Sequence, residues 1–353
     1  MRIALVAGET SGDTLGAALI DGLRRHFPDA EFAGVAGPRM RAAGCTAWHD
    51  IESLSVMGLT EVLSHLPRLL SLRGRLRRRI IDWRPDVFIG VDYKEFNLGL
   101  ARQLKRTGIT TVQYVSPQVW AWRQGRARTI GESVDLVLCL FPFEPDFYRE
   151  HGVRAAFVGH PLADQIPLHV DPAAARAELG IDAAARVLAV LPGSRRGEVE
   201  KLADSFAGAA ELLARKHTGL VTIAPMVTPA LRDLFAGRCA ALAPTANVRL
   251  LDGQARRAVA AADVVLVASG TATLETALLA RPMVVAYRLG AITAFLLRTL
   301  KLVKTRHFSQ PNLLAGKELV PEFFQEAATP QNLSAALARW LDHPEEVARV
   351  RAE

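Results

Sequence analysis

One stretch of the sequence, Asp263 to Leu279, constrains the fold more than any other. It reads DVVLVASGTATLETALL, in which the apolar residues Val264 to Val267 precede a polar turn and an apolar-periodic segment. A run without polar alternation is typical of a strand that is covered on both faces of a parallel sheet. The stretch therefore predicts a buried strand, a turn at residues 269–271 and a helix.

The same succession of strand, turn and helix recurs along the chain. Strands are predicted at Ile3 to Ala7, Phe32 to Ala36, Val87 to Asp92, Thr110 to Ser116, Leu136 to Phe141, Arg186 to Ser194, Leu220 to Val227, Asn247 to Gly253 and Pro282 to Arg288. Strands that alternate with helices indicate parallel, doubly wound α/β sheets. Proline-punctuated sequence from His160 to Pro172 is interpreted as a linker between two such domains. We expect domains at residues 1–163 and 172–329, and a C-terminal helix within residues 330–353 for which packing against the first domain is one option.

The formal net charge of +7 over 353 residues indicates an anionic partner. Nucleic acid is disfavoured because no recognised nucleic-acid-binding module accompanies the charge. A phospholipid surface and a phosphorylated substrate remain. Leucines and arginines mix densely in Val62–Ile81 and Ile292–Arg306, which are interpreted either as ordinary packed helices or as attachment to anionic lipid.

No apolar run predicts a signal peptide or a membrane span, and three widely spaced cysteines favour a reducing compartment.

Two glycine-bearing turns in the second domain suggest an anion site. In the first turn, Gly193 permits a close approach and the Arg195 guanidinium can engage two phosphate oxygens. In the second, Ser269 or Thr271 is expected to cap the helix, while Gly270 exposes the backbone to a ligand. Ligands gather beyond the carboxyl ends of parallel strands, so both turns are predicted to converge on one diphosphate at a helix N-terminus. An ordinary strand-turn-helix corner is the alternative.

Acidic residues follow two predicted strands of the first domain. Glu9 and Asp13 lie in a loop that suits a hydroxyl-rich or cationic group, or a capped helix start, because both acids would repel a pyrophosphate. Asp92 ends a strand and is interpreted either as a general base or as the N-cap of the next helix. Trp120 and its neighbour Gln118 are candidates to line a cleft, with burial in the core as the alternative for the indole.

The sequence carries none of the common metal or nucleotide patterns. Neither G-x-G-x-x-G nor the P-loop pattern occurs, and H-E-x-x-H, D-x-D and cysteine-histidine clusters are absent as well. We therefore expect no metal and no cofactor. The charge of a phosphorylated ligand would then be balanced by arginine and helix N-termini.

Eight ordered motifs resemble those of the bacterial lipid-A-disaccharide synthases. They are VAGETSGD, GVAGPRM, VDYKEFNLGLA, YVSPQVWAWR, LPGSR, ASGTATLE, PMVVAYR and PNLLAGKELVPE, and they run from Ile3 to about Glu322. The resemblance implies the GT-B glycosyltransferase architecture, in which two Rossmann-like parallel-sheet domains face a cleft. It also implies an inverting, metal-independent transfer of 2,3-diacylglucosamine from its UDP derivative to the 6-hydroxyl of 2,3-diacylglucosamine 1-phosphate. The products would be UDP and the β-1,6-linked lipid A disaccharide 1-phosphate.

The same resemblance implies which residues act. The family's functionally sensitive positions fall on Glu9, Asp92, Arg195, Glu275 and Asn312. Asp92 would deprotonate the attacking hydroxyl, with Glu9 as the alternative base, and Glu275 would accept hydrogen bonds from the ribose hydroxyls. The UDP donor is assigned to Gly193, Ser194, Arg195, Ser269, Gly270, Thr271, Glu275 and Asn312. The acceptor side is assigned to Ser11, Asp13, Asn97, Gln118 and Trp120.

Both implied substrates carry acyl chains, so the resemblance implies a peripheral enzyme at the cytoplasmic face of the inner membrane. Val62–Ile81 is the first candidate for contact with anionic lipid and Ile292–Arg306 the second. The family is compatible with a homodimer. Two rival functions stay open at this point: another GT-B enzyme acting on UDP-N-acetylglucosamine, such as an epimerase or a peptidoglycan transferase, and a non-catalytic basic membrane-binding protein.

Overall fold

The computed structural model describes residues 1–54, 59–122, 124–290 and 307–353, and the side chains of all of these except 59–66, 121 and 122. The chain divides into two compact units, Met1–Pro161 and Leu162–Glu353. The predicted basic-apolar stretch Ile292–Arg306 lies outside the described residues. The other one, Val62–Ile81, lies within a single long helix.

The first unit is built on a sheet of seven parallel strands. In chain order they are β1 (Arg2–Ala7), β2 (Glu31–Ala36), β3 (Cys45–Asp50), β4 (Val87–Val91), β5 (Thr110–Tyr114), β6 (Leu136–Cys139) and β7 (Ala155–Phe157). Across the sheet they follow the order β3-β2-β1-β4-β5-β6-β7. The helices are α1 (Thr10–His26), α2 (Pro38–Ala42), α3 (Leu59–Trp83), α4 (Lys94–Lys105), α5 (Val119–Trp122), α6 (Ala127–Ser133) and α7 (Glu144–Glu150).

The second unit repeats the plan with six parallel strands. They are β8 (Val187–Leu191), β9 (Val221–Met226), β10 (Arg249–Asp252), β11 (Val264–Ala268), β12 (Met283–Tyr287) and β13 (Glu322–Phe324), in the order β10-β9-β8-β11-β12-β13. The described helices from the boundary onward are α8 (Pro161–Gln165), α9 (Pro172–Glu178), α10 (Arg196–Lys216), α11 (Pro229–Leu242), α12 (Ala255–Ala261), α13 (Thr271–Leu278), α14 (Gln310–Ala315), α15 (Pro330–Asp342) and α16 (Pro344–Ala352). Helix α8 lies inside the segment that was interpreted as a linker.

Two parallel α/β sheets confirm the predicted fold class. Each predicted strand is present, and the strand predicted to be buried, β11 (Val264–Ala268), is buried along its whole length. Its residues alternate between two apolar clusters, with Val264 and Leu266 on one face of the sheet and Val265 and Val267 on the other. The run without polar alternation therefore reflects burial on both faces, as expected for a parallel sheet.

Three strands escaped the sequence analysis, namely β3, β7 and β13. Each of them lies at an edge of its sheet. Their residues are mostly half-buried or exposed, so they lack the apolar run by which the central strands were recognised. An edge strand contacts the core on fewer sides, which leaves its composition less constrained.

Helix α3 carries the first basic-apolar stretch and has an amphipathic described part. Leu72, Leu76 and Ile80 are buried, at the spacing of three to four residues that places side chains on one helix face. Arg75, Arg78 and Arg79 are exposed. This part of the stretch thus has one face packed in the core and a basic outer face. Among the residues that the structure describes, no helix combines the length and apolar character needed to cross a bilayer.

The segment 330–353, where one C-terminal helix was predicted, contains the two helices α15 (Pro330–Asp342) and α16 (Pro344–Ala352). In α15, the apolar face packs inward. Its apolar side chains Leu333, Leu337 and Trp340 belong to the core of the second unit. The Trp340 indole donates a hydrogen bond of 3.1 Å to the Met283 carbonyl. The apolar face of this helix is therefore covered within the second unit.

Candidate active site

The first unit presents two acids at the point where its strand order reverses. Strand β1 lies between β2 and β4. The strands β2 and β3 extend the sheet on one side of β1, and β4 to β7 extend it on the other, so the strand order reverses between β1 and β4. Ala7 and Val91 are paired at the carboxyl ends of these two strands, and Glu9 and Asp92 follow directly. In open parallel sheets this crevice is where ligands bind. The structure thus brings the two predicted acids to neighbouring strand ends.

The backbone that carries Asp92 has an unusual conformation. Asp92 and Tyr93 both have positive φ values, of 50° and 39°. Non-glycine residues occupy this left-handed region at a cost of about 1–2 kcal/mol each. The Asp92 amide donates to the Tyr114 carbonyl at 2.8 Å, and Tyr93 holds the N-cap position of α4. The N-cap interpretation of Asp92 is therefore wrong, because Tyr93 is the N-cap and the helix begins at Lys94.

Glu9 lies close enough to Tyr93, the residue after Asp92, for its charge to act on the Tyr93 hydroxyl. Burial, together with the negative charges of Glu9 and Glu95, raises the pKa of the Tyr93 hydroxyl. That hydroxyl donates to the Leu54 carbonyl at 2.9 Å. A Cβ atom at Gly8 would overlap the Tyr93 ring. A glycine is thus required where the first loop passes the residue that follows Asp92.

The other two residues predicted in the first loop differ from each other. Asp13 is buried, and its carboxylate accepts hydrogen bonds from the amides of Gly37, Arg39 and Met40 at 2.9–3.0 Å. It stabilises the start of helix α2, as an acid does at a helix N-terminus. Ser11 is exposed in the first turn of α1. The structure accounts for Asp13 without any ligand, and leaves Ser11 accessible.

Of the remaining acceptor-side residues, Gln118 and Trp120 follow β5, whereas Asn97 lies on helix α4. Gln118 is exposed. Trp120 is buried, and its indole donates at 3.1 Å to Glu144 and packs edge-to-face on Phe143 at 5.0 Å between ring centroids. These contacts favour the core interpretation of Trp120. Asn97 is completely buried, and its amide nitrogen faces backbone carbonyls.

The second unit places its two glycine turns side by side at an equivalent point. Strand β8 lies between β9 and β11, so its sheet reverses between β8 and β11. Val267 pairs with Leu191 near the carboxyl ends of these strands. The Gly193–Arg195 and Ser269–Thr271 turns follow. Two turns predicted from separate parts of the sequence are therefore neighbours.

The first of these turns leads into the long helix α10, and an acid already occupies the helix start. Glu198 accepts from the Ser194 amide at 3.1 Å and the Arg195 amide at 3.3 Å. The Arg195 guanidinium lies 3.5 Å from the same carboxylate and is 64% exposed. Gly193 has a φ of 133°. Arg195 is thus presented to solvent beside a carboxylate that orients it.

The second turn corrects the capping prediction. Helix α13 has Gly270 as its N-cap, with a φ of 150° and no side-chain cap. Ser269 instead donates from its hydroxyl to the Phe308 carbonyl at 3.2 Å, and Thr271 is exposed as the first helical residue. A Cβ at Gly270 would meet no described atom within 4 Å. Among the described residues, no side chain therefore caps this helix N-terminus.

Glu275 and Asn312 have described partners within the second unit. Glu275 forms an ion pair with Arg256 at 2.9 Å and is 18% exposed. Asn312 is fully buried, accepts from the amides of Leu319 and Val320, and donates to the Val320 carbonyl at 2.8 Å. Asn312 thus holds the segment between α14 and β13. Arg256 gave no sequence signal, because it lies on a different helix from Glu275.

An aromatic cluster near the same strand ends was missed by the sequence analysis. The rings of Tyr287, Phe308 and Phe324 have centroids 5.9–6.3 Å apart and are half-buried. Burial and the charge of Glu198 raise the pKa of Tyr287, while the charge of Arg195 lowers it. Tyr287 and Phe324 are the last residues of β12 and β13. That strand-end position was the one signal that could have identified them.

Comparison with known proteins identifies close sequence relatives. Residues 3–351 match the family described as lipid-A-disaccharide synthetase. A lipid-A-disaccharide synthase of Xanthomonas campestris pv. campestris is 54% identical over 352 residues, covering 99% of this chain and 80% of the relative. The corresponding enzyme of Alkalilimnicola ehrlichii is 53% identical, covering 100% of this chain and 92% of the relative.

Solved structures resemble the chain in fold at much lower identity. A UDP-GlcNAc 2-epimerase from Neisseria meningitidis superposes with a TM-score of 0.68 at 13% identity, covering 99% of this chain and 94% of its own. The glycosyltransferase of kitacinnamycin gives a TM-score of 0.60 at 18% identity, with coverages of 99% and 94%. Identities this low establish a shared fold and nothing further.

Proposed function

Because this chain belongs to the lipid-A-disaccharide synthetase family, we propose that its two strand-reversal sites supply the acceptor and donor chemistry of one sugar transfer. The protein is a glycosyltransferase of the GT-B fold that forms the lipid A disaccharide. The proposed reaction moves 2,3-diacylglucosamine from its UDP derivative to the 6-hydroxyl of 2,3-diacylglucosamine 1-phosphate. The match over residues 3–351 is the observation that carries this proposal.

In the first unit, the proposed general base is Asp92. It would take the proton of the acceptor 6-hydroxyl as the oxygen attacks the anomeric carbon, which inverts that carbon as UDP leaves. Glu9 is the alternative base, because it follows the neighbouring strand and its charge acts on Tyr93. Ser11 and Gln118, which are exposed near these strand ends, are proposed to contact the acceptor sugar.

In the second unit, the proposed donor site is formed by the two glycine turns. Arg195 would balance the charge that develops on the departing diphosphate, and the N-terminus of α13 would donate backbone hydrogen bonds to it. Glu275, oriented by Arg256 at 2.9 Å, is proposed to accept from the ribose hydroxyls. Asn312 would act by shaping the neighbouring segment. The epimerase from Neisseria meningitidis was solved with UDP-GlcNAc bound, which supports a UDP-sugar as the ligand class.

The direct test is a reaction with both acylated substrates. We expect the disaccharide 1-phosphate and one equivalent of UDP, detected by mass spectrometry and by a coupled UDP assay. UDP-N-acetylglucosamine without acyl chains serves as the control donor. UDP release or epimerisation from this control, with no product from the acylated pair, would replace the proposal with the rival UDP-N-acetylglucosamine enzyme.

We also propose that the enzyme works on the cytoplasmic face of the inner membrane, through helix α3. Leu70 is 47% exposed on this helix, and Arg68 and Arg78 are exposed as well. An apolar side chain flanked by cations suits the boundary of an anionic bilayer. Loss of binding to phosphatidylglycerol vesicles in the double variant Leu70→Ser, Arg78→Glu is the expected outcome. Leu314→Ser, at another exposed leucine, is the control, and equal binding of both variants would remove this proposal.

A further inference from the structure

Two buried amide side chains connect the strand ends that carry the proposed base. Asn97 lies on helix α4 and is fully buried. Its amide nitrogen lies 3.0 Å from the Val6 carbonyl, 3.3 Å from the Val91 carbonyl and 3.0 Å from the Asp92 carbonyl. The first of these carbonyls belongs to β1, and the other two lie at the end of β4. Asn97 therefore links the strand leading to Glu9 with the strand leading to Asp92.

Gln113 provides the matching link on the other side of Asp92. It lies in strand β5 and is 1% exposed. Its amide nitrogen lies 2.9 Å from the Asp92 carbonyl, 3.2 Å from the Tyr114 carbonyl and 3.4 Å from the Val115 carbonyl. The orientation of both amides follows from chemistry, since a carbonyl can accept from the NH2 group and not from the amide oxygen.

The backbone between these amides is the part of the first unit that most needs support. Asp92, Tyr93 and Val115 all have positive φ values, of 50°, 39° and 75°. Buried carbonyls need hydrogen-bond donors, and those of Val91, Asp92 and Val115 face these two amides. A primary amide supplies two N–H groups without adding a charge. The Asp92 carbonyl receives one bond from each amide, so both act on the residue that carries the proposed base.

Gly90 leaves the space that these amides fill. It pairs with Gln113 across the sheet and with Val6 on the other side. A Cβ atom at Gly90 would lie 2.8 Å from the Asn97 Cβ and 3.1 Å from the Gln113 Oε1. Both amides therefore pass over a strand position without a side chain. Among the described residues, Asn97 Oδ1 and Gln113 Oε1 have no hydrogen-bond partner, so donation is the role that their contacts define.

We propose that Asn97 and Gln113 are positioning residues for the proposed base at Asp92. They hold its backbone in the left-handed conformation and thereby aim its carboxylate, without contacting the substrate. This inference rests on the proposed function, in which Asp92 activates the acceptor hydroxyl. A shift of about 1 Å in a reacting group lowers catalysis by as much as about 100-fold. Loss of either amide is thus expected to affect turnover more than binding.

The test compares Gln113→Met and Gln113→Glu with the unmodified enzyme. Methionine keeps the approximate volume and removes the donors, whereas glutamate keeps the shape and replaces the NH2 group by an acceptor. We expect kcat to fall by about 10- to 100-fold in both variants. The KM values for both substrates and the Kd for UDP should change by less than about threefold. Thr111→Val is the matched control, because Thr111 is equally buried on the same strand, two residues before Gln113.

A double-variant cycle separates this inference from the proposed function. If Gln113 acts through Asp92, Gln113→Met should cause little further loss in the Asp92→Asn background, because the group being positioned is already gone. An additional loss of about 10-fold or more in that background would overturn the positioning role. So would an unchanged kcat in both Gln113 variants, or an equal fall in kcat for Thr111→Val. Full activity of Asp92→Asn alone would instead reject the base assignment.

Two further measurements distinguish a folding defect from the expected loss of kcat. The Kd for UDP and the thermal unfolding transition of each variant are compared with those of the unmodified enzyme, and both should be unchanged. Should Gln113→Met unfold, Asn97→Asp gives the same comparison with an unchanged side-chain shape. That variant should lose kcat while retaining UDP affinity, and a normal kcat would count against the inference.

Discussion

The two strand-reversal sites have the same topology and opposite chemistry. In both sheets the chain reverses beside the first strand of the unit. The first unit places two acids, Glu9 and Asp92, at this point, and side-chain amides donate to the Asp92 carbonyl. The second places glycines, a helix start without a described side-chain cap and Arg195 there. Strand order thus fixes the place of the turns, while the turn residues set their charge; under the proposed function, the acidic turns receive a hydroxyl group and the basic turns a phosphate.

The largest effect is expected when the acidic site loses its base. Asp92→Asn should lower kcat by about 1,000-fold, within the range of general-base catalysis. The Kd for UDP should stay unchanged, because the proposed donor contacts lie in the second unit. Rates of disaccharide formation and calorimetric titration with UDP measure the two quantities. A larger loss for Glu9→Gln than for Asp92→Asn would transfer the role of base to Glu9.

A smaller effect is expected when the phosphate site loses its cation. Arg195→Ala should weaken UDP binding by about 10- to 100-fold, the value of a charge-assisted hydrogen bond to phosphate. The neighbouring Arg196 pairs with Glu200 on its own helix and is 77% exposed, so Arg196→Ala is the control. Equal UDP affinities for these two variants would contradict a donor site at this turn.

Trp120 tests whether the acceptor side extends into the loop after β5. If its indole belongs to the core, Trp120→Phe should destabilise the protein by about 2 kcal/mol, because Glu144 loses a buried donor. This corresponds to a fall of about 4–8 °C in Tm. Scanning calorimetry measures it, and Phe27→Ala, at an exposed aromatic residue, is the reference. A higher KM for the acceptor with an unchanged Tm would instead indicate that Trp120 contacts the acceptor.

The two units also differ in the direction in which the pKa of a buried glutamate is shifted. Burial raises the pKa of Glu144 in the first unit, since its donors, which include Trp120, are uncharged. Burial acts in the same direction on Glu211 in the second unit. There, hydrogen bonds from Thr245, Arg215 and Ala246 outweigh it and lower the pKa of Glu211 to about 2. A nearby guanidinium and paired amides thus reverse the effect of burial.

The smallest expected effect follows from that second glutamate. The folded-state pKa of Glu211 lies below its ordinary value of 4.5, so its stabilisation is complete above about pH 4.5 and disappears as the pH falls towards about 2. Glu211→Gln should lower stability by about 1 kcal/mol at pH 7, and the difference should vanish in acid. Urea unfolding at several pH values tests this. Glu200→Gln, at a half-exposed position of the same helix, should change little, and a pH-independent loss in Glu211→Gln would contradict the assignment.

The sequence predicted those parts of the fold that are determined by burial on both faces of a sheet. Val264–Val267 is such a run, and the turns after β8 and β11 could be paired because their strands are adjacent. Contacts between distant residues were not predictable. The pairing of Trp120 with Glu144 joins positions 24 residues apart, and that of Glu275 with Arg256 joins two helices. Neither leaves a periodic signal.

Local backbone geometry marks the other limit of prediction. Asp92 has a side chain that suits an N-cap, yet it adopts a φ of 50° and Tyr93 holds the N-cap position. Ser269 and Thr271 were expected to cap α13, whereas Gly270 holds that position. Both errors occur at the proposed sites. Strand ends that must remain accessible depart from the local rules that hold in the helices around them.

The central place of β1 in its sheet has a consequence for biosynthesis. β1 leaves the ribosome well before its neighbour β4, which begins at Val87, and the amide that supports Asp92 from the far side comes from Gln113. Contacts this distant along the chain form late and slowly. A nascent first unit must therefore keep the apolar strand β1 unpaired on one side until β4 has emerged, and the exposed strand edge makes this interval of translation prone to aggregation.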